Sequence, residues 1–255
     1  MKLVDLSITV ENDLPSDPEE MIPKISYIDH EQSVNDMLRF FGTAKKEHLP
    51  AGLAWAIEKI HLTTHSGTHL DAPYHYHPTM DKGKPAWTID QIPLDWCYGN
   101  GVVFDFSNKP DGYRLEIEDF KEALDAMDYR LKEKDIVLIR TGADQYWGTS
   151  NYLISGCGVG REATLWLLEQ GIKVVGTDAW SWDRPLPFIA KEFDKTGDPS
   201  LIWEGHFAGI EKSYCQLEKL TSLDQLPSTG FKISCYPIKI KNASAGWVRA
   251  VAIIE

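Results

Sequence analysis

His65-Ser66-Gly67-Thr68-His69-Leu70-Asp71-Ala72-Pro73-Tyr74-His75 is the stretch from which the rest of the chain is best read. Five of the eight histidines lie between His61 and His77, a density that asks for a cause. In an extended chain, side chains at i, i+2 and i+4 share a face. His65, Gly67, His69, Asp71, Pro73 and His75 are then all in one register. A helix would align His65 with His69 but turn Asp71 away, and Gly67 and Pro73 disfavour a helix interior. The expectation is an extended or gently turning segment, with Gly67 leaving room between the side chains and Pro73 stiffening the exit. Two neutral imidazoles and a carboxylate aimed at one point suit Zn²⁺, Mn²⁺ or Fe²⁺. Three protein ligands leave positions open for water and substrate, which marks a catalytic rather than a structural ion. Separate hydrogen-bond partners would explain a lone histidine better than this in-register set.

Outward from that stretch the pattern is mixed. Val4, Leu6 and Ile8 alternate with other residues as in a half-buried strand, and residues 11–23 read as a loop with three prolines and five acids. Residues 33–55 carry many apolar side chains, Phe40 and Phe41 among them, and read as a mobile or inserted region. Beyond the histidines, strands are expected at 101–106, 135–140, 172–176, 231–240 and 248–253. Helices are expected at 115–127 and 160–170, the second closed by Gly171. This alternation implies an α/β fold, a mixed sheet with flanking helices in a single domain over 1–255. Strand order is not legible at this level.

Composition narrows the function classes. A net charge of −12 repels phosphate backbones and anionic lipid, so nucleic acid and membrane are poor partners. No window approaches the ~20 apolar residues of a membrane span. Residues 1–10 lack the basic start and apolar run of a signal peptide. Cys97, Cys157, Cys215 and Cys235 form no CxxC pair and read as ordinary buried thiols, which suits a reducing cytoplasm. Neither Cys157 nor Cys215 sits in a nucleophile motif.

The pattern HxGTHxDxPxH at 65–75 resembles the signature of the cyclase family of metal-dependent hydrolases, the kynurenine formamidase and isatin hydrolase-like enzymes. The resemblance runs through Leu3 to Ser7, Thr88 to Phe106, Gly176 to Asp178 with Ser181 and Asp183, Gln216 to Pro227, and Arg249 to Ile253. Cys157-Gly158 departs from it, since many members carry Pro-Gly there. The resemblance implies a swivelling β/β/α fold and a homodimer or homotetramer. It implies a divalent cofactor, Zn or Mn, with one or two ions per chain. His65, His69 and Asp71 would be the ligands of the first ion. His206 and Glu218 match in spacing the later pair that helps hold a second, although in one-metal members the equivalent histidine contacts substrate instead. His75 would be the general base. An imidazole titrating near ~6.5 suits that work.

The implied reaction is hydrolysis of a C–N amide bond. Tyr74, Tyr76, Trp87, Trp180 and Trp182 flank the motifs, which suits a small aromatic or heterocyclic amide. The long 33–55 and 185–203 segments favour an isatin-hydrolase-like amidase over a compact formamidase. Two other readings stand beside it: a cyclase or dehydratase acting on a polyketide-like substrate, and a non-catalytic metal-binding ligand sensor. Asp178 and Asp183 fit equally well as residues that orient the imidazoles or as turn residues.

Overall fold

The computed structural model describes residues 1–254. Its centre is a nine-stranded sheet. In chain order the strands are β1 (Lys2–Asp5), β2 (His69–Asp71), β3 (Tyr98–Asp105), β4 (Ile136–Arg140), β5 (Val174–Thr177), β6 (Cys215–Glu218), β7 (Phe231–Ser234), β8 (Ala245–Trp247) and β9 (Val251–Ile254). Their spatial order is β1-β9-β7-β3-β4-β5-β6-β2-β8. The four central strands β3 to β6 run parallel, and every other pairing is antiparallel.

The central strands are apolar runs because both faces of the sheet are covered. Val102, Phe104, Val137, Ile139 and Val175 point to one side, against Phe120 and Leu167. Those two belong to α3 (Ile117–Ala126) and α4 (Arg161–Glu169). Val103, Ile136, Leu138 and Val174 point to the other side, into a core shared with Leu70, Leu217, Phe231 and Val248. The sheet curls around this second core, which brings β2 and β8 to the flank of the parallel strands. The expected mixed α/β architecture is present.

Some boundaries differ from the sequence reading. The strand expected at 231–240 ends at Ser234, and Pro237, which has no N–H to give a ladder, follows shortly after. The expected 248–253 strand begins only at Val251. Residues 33–55 hold one short helix, α1 (Val34–Leu38), and two tight turns, with Phe40 and Phe41 exposed. They connect the strands of a separate ribbon in which 24–28 pairs with 57–61. The 185–203 segment carries α5 (Leu186–Thr196), closed by Gly197 at φ 65°. No helix among the described residues is long and apolar enough to cross a membrane. All four cysteines are free and buried.

Candidate metal centre

Strand β2 is only three residues long, but it lies between β6 and β8 and is fully buried. Strand alternation puts His69 and Asp71 on one face. The register sets Glu218 of β6 directly opposite His69. Outside β2 the extended reading fails. Pro73 occupies the first position of a short helix, α2 (Pro73–Tyr76), where its fixed φ is already helical. His75 therefore approaches Asp71 from the single turn of α2 and not through strand alternation. Gly67 stands at φ 70°, and a Cβ there would lie 2.8 Å from Val10 Cγ2. That glycine serves a left-handed turn against the N-terminal segment, not clearance between ligands.

The expected site residues converge on Asp71. His65 Nδ1 lies 2.9 Å and His69 Nε2 3.3 Å from Asp71 Oδ1. His75 Nε2 and His206 Nε2 lie 3.8 and 3.9 Å from Asp71 Oδ2. Glu218 comes within 3.6 Å of both His69 Nε2 and His206 Nε2. His206 arrives from α6 (Glu204–Phe207), so the site draws on β2, α2, β6 and α6 together with the turn that carries His65. Three ligand atoms from His69, Asp71 and Glu218, and three from His65, Asp71 and His75, each lie within 4.8 Å of one another. Asp71 is common to both groups and links the other two residues of the expected trio, His65 and His69. His61 and His77 stay outside: His61 is exposed, and His77 Nδ1 bonds to Thr79.

The surroundings prepare these groups as ligands. His69 Nδ1 donates to the Gly67 carbonyl at 2.8 Å. His206 Nδ1 donates to the Asp183 carboxylate at 2.5 Å. Neither oxygen can donate, so the proton sits on Nδ1 and the Nε2 lone pair of each ring is left facing the site. Asp183 also accepts from the backbone N–H of Gly205 and His206, so one carboxylate holds both the His206 ring and its backbone. Glu218 is held by the Trp182 N–H.

Burial alone would raise the Asp71 carboxyl, but the imidazoles of His75, His69 and His65 hold it well below the usual carboxylate range. Burial, and then the Asp71 charge, push Glu218 up. Burial brings His75 down to about 3 despite the pull of Asp71, so its ring is neutral. Asp71 and His69 Nε2 are buried, and apart from the contacts among these side chains nothing hydrogen-bonds to them. A carboxylate met only by imidazoles is costly to bury, and a divalent cation is what the donor set fits.

The cluster forms the floor of a cavity of about 370 Å³, walled by Met21, Thr63, Trp180, Ser181, Trp203 and Lys219. Of the aromatics expected here, only Trp180 lines it. Tyr76 and Trp182 are buried, Tyr74 is exposed, and Trp87 packs on Trp96. Sequence reasoning missed Trp203. Its ring stacks on His206 at 4.1 Å between centroids and meets the His75 ring edge-on at 5.1 Å. A tryptophan three residues before His206, on the same turn, was the available signal. Ser244, 3.1 Å from His65 Nε2, had none.

Residues 4–184 match the family model described as "Putative cyclase". A kynurenine formamidase from Erythrobacter litoralis is 26% identical over 214 residues, covering 83% of each chain. One from Salinibacter ruber is 28% identical, covering 75% of this chain and 77% of its own. Among solved structures, isatin hydrolase A from Labrenzia aggregata, bound to benzyl benzoate, superposes with a TM-score of 0.74 at 25% identity. That match covers 99% of this chain and 93% of the other.

Proposed function

The chain belongs to the cyclase family of metal-dependent hydrolases, and from that membership we propose that it hydrolyses the C–N bond of a small aromatic or cyclic aryl amide. One observation carries the reading: a fully buried carboxylate, Asp71, faced by four imidazoles and by no backbone or hydroxyl donor, at the floor of an aromatic-walled cavity. The similarity to kynurenine formamidases and to an isatin hydrolase supports an aryl amide as substrate.

We assign His65, His69 and Asp71 to one divalent ion, and His206 and Glu218 as further ligands, with Zn²⁺ or Mn²⁺ as the ion and one or two per chain. Such an ion, when bound, supplies a Lewis acid that brings the pKa of water to about 7. His75 is the base. Its neutral ring takes a proton from the attacking water and returns it to the leaving nitrogen. One water is consumed, the amide C–N bond breaks, and a carboxylic acid and an amine result. Trp180 and Trp203 hold the substrate ring and keep bulk water out, and the cavity volume is in the range of small-molecule sites.

A homodimer or homotetramer is part of the proposal. Tyr27, Ile57 and Ile60 are exposed on the 24–28/57–61 ribbon, and a two-stranded ribbon alone is marginally stable in water. Free buried thiols suit the cytoplasm.

The deciding experiment is metal analysis of protein purified without chelator, wild type beside His206→Ala, together with turnover of a panel of N-formyl anilines and cyclic aryl amides. Roughly two ions falling to one would place His206 in the donor set, and an unchanged single ion would make it a substrate contact. Protein that takes up neither Zn²⁺ nor Mn²⁺ would overturn the proposal.

A further inference from the structure

One ion pair near the cavity is out of keeping with its place in the chain. Residues 11–23 are rich in acids, and most of those acids are exposed, but Ser16 and Asp17 are buried. Asp17 Oδ1 accepts hydrogen bonds from Trp180 Nε1, at 2.8 Å, and from the ammonium of Lys219. Lys219 is 1% exposed. Its ammonium also donates to the main-chain carbonyl of His65 at 2.9 Å and lies over the Trp180 ring. The Lys219 backbone stands at φ 59°, a left-handed conformation that costs a lysine energy. The strained residue directly follows Glu218.

Burying two charges costs more than an ordinary ion pair returns, so stability is a weak reason for this one. A buried ammonium beside a cation site is also unfavourable unless something neutralises it. The same stretch of chain is fastened at two more points. Gly148 N–H donates to Ser16 Oγ at 2.6 Å, and Ser66 Oγ donates to the Met21 carbonyl at 2.9 Å. Met21 itself walls the cavity.

We propose that Asp17 and Lys219 act together as positioning residues. The Lys219 ammonium fixes the His65 carbonyl and so aims the His65 ring at Asp71. The Asp17 carboxylate neutralises that ammonium and pins residues 14–22 as a wall of the cavity. This rests on the reading that the Asp71 cluster holds a divalent ion, and it adds that the N-terminal strap and the ligand set are coupled through one buried pair.

The test is a double-mutant cycle on the full chain, Asp17→Asn, Lys219→Met and the pair, read without substrate. Two quantities are measured: Mn²⁺ or Zn²⁺ affinity by chelator competition, and the rate at which a Glu-specific protease cuts at the exposed Glu11, Glu19 and Glu20. Asp17→Asn leaves the ammonium unneutralised, and affinity is expected to fall ~10–100-fold, the usual cost of losing a group that supports a ligand. The double variant restores neutrality and should recover part of that loss. Cleavage should speed up in all three. Trp180→Phe keeps both charges and removes one strap bond, so it should speed cleavage and leave affinity near wild type. It also serves if the charge variants fail to fold, as does Lys219→Arg, which should retain affinity. Wild-type affinity and wild-type cleavage in the single variants would overturn the proposal, as would a double variant weaker than both singles. If wild type binds no ion at all, the hydrolase reading fails, and the cleavage rates still decide the pinning of the strap.

Discussion

Two aspartates sit at the ends of strands in the same sheet, both buried, and they could hardly be treated more differently. Asp178 follows β5 and accepts three hydrogen bonds: from Thr141 N at 2.7 Å, Thr141 Oγ1 at 2.6 Å and Gly142 N at 2.9 Å. Asp71 ends β2 and has no backbone or hydroxyl donor, only imidazoles. Burial works to raise both carboxyls. It succeeds at Asp178, which reaches about 7, and is overridden by imidazoles at Asp71. The first aspartate is satisfied by Thr141 and Gly142 and stitches β5 to the loop after β4. The second faces only imidazoles, the arrangement on which its proposed role as a metal ligand rests. A buried polar group marks a functional site when its partners are missing, not merely because it is buried.

The comparison breaks most readily at Asp71. Asp71→Asn should reduce metal content to background and lower kcat/KM by more than ~10³-fold. In chelator-treated protein the same change should leave stability equal to or above wild type, because a costly buried charge is gone. A clear loss of stability without metal would mean that Asp71 is a structural carboxylate like Asp178.

His75→Ala comes next. Turnover should fall ~10²–10⁴-fold while metal content stays at the wild-type level. If the ion is lost along with activity, His75 belongs with His65 and Asp71 as a ligand, and the base must be sought elsewhere.

The smallest effect is expected at Asp178. Asp178→Asn should keep its metal but lose ~1–3 kcal/mol, since an amide nitrogen then faces N–H donors. The loss should depend on pH. The carboxyl titrates higher in the fold than in the unfolded chain, so the stability it contributes is complete below about pH 4 and is lost as pH rises through about 7. Denaturant unfolding of chelator-treated wild type and variant should therefore differ most in acid, with the gap narrowing as pH rises through about 7. A gap that stays constant from pH 4 to 8 would show that Asp178 is ionised throughout.

Much of the candidate site could be read in the sequence, His65, His69 and Asp71 from their register and His75, His206 and Glu218 through the family resemblance. His65, His69, Asp71, His75, His206 and Glu218 all meet at one floor. The local geometry was less legible. Extended register explains only His69 and Asp71, because Pro73 starts the single helical turn from which His75 approaches. Asp178 and Asp183 looked interchangeable on paper, as two acids in one turn. They separate only when α6 places His206 against Asp183 and the loop after β4 places Thr141 against Asp178. The aromatic residues were the least readable, since a tryptophan suits a core and a pocket wall equally well: Trp182 went to one and Trp180 to the other.

The sequence by itself determined the chemistry on offer: which side chains can bind a divalent ion, the apolar runs of the parallel strands, and a net charge of −12. Those follow from residue type and short-range period, which are properties of the chain before it folds. Only the tertiary structure decided which donors meet. Glu218 lies opposite His69 because β6 and β2 pair antiparallel across 149 positions of sequence. Asp17 reaches Lys219 because the loop after β1 packs beside the end of β6, and Trp203 covers His206 because α6 docks where it does. Contacts between such distant positions leave no periodic trace along the chain, because they are set by packing and register rather than by local spacing.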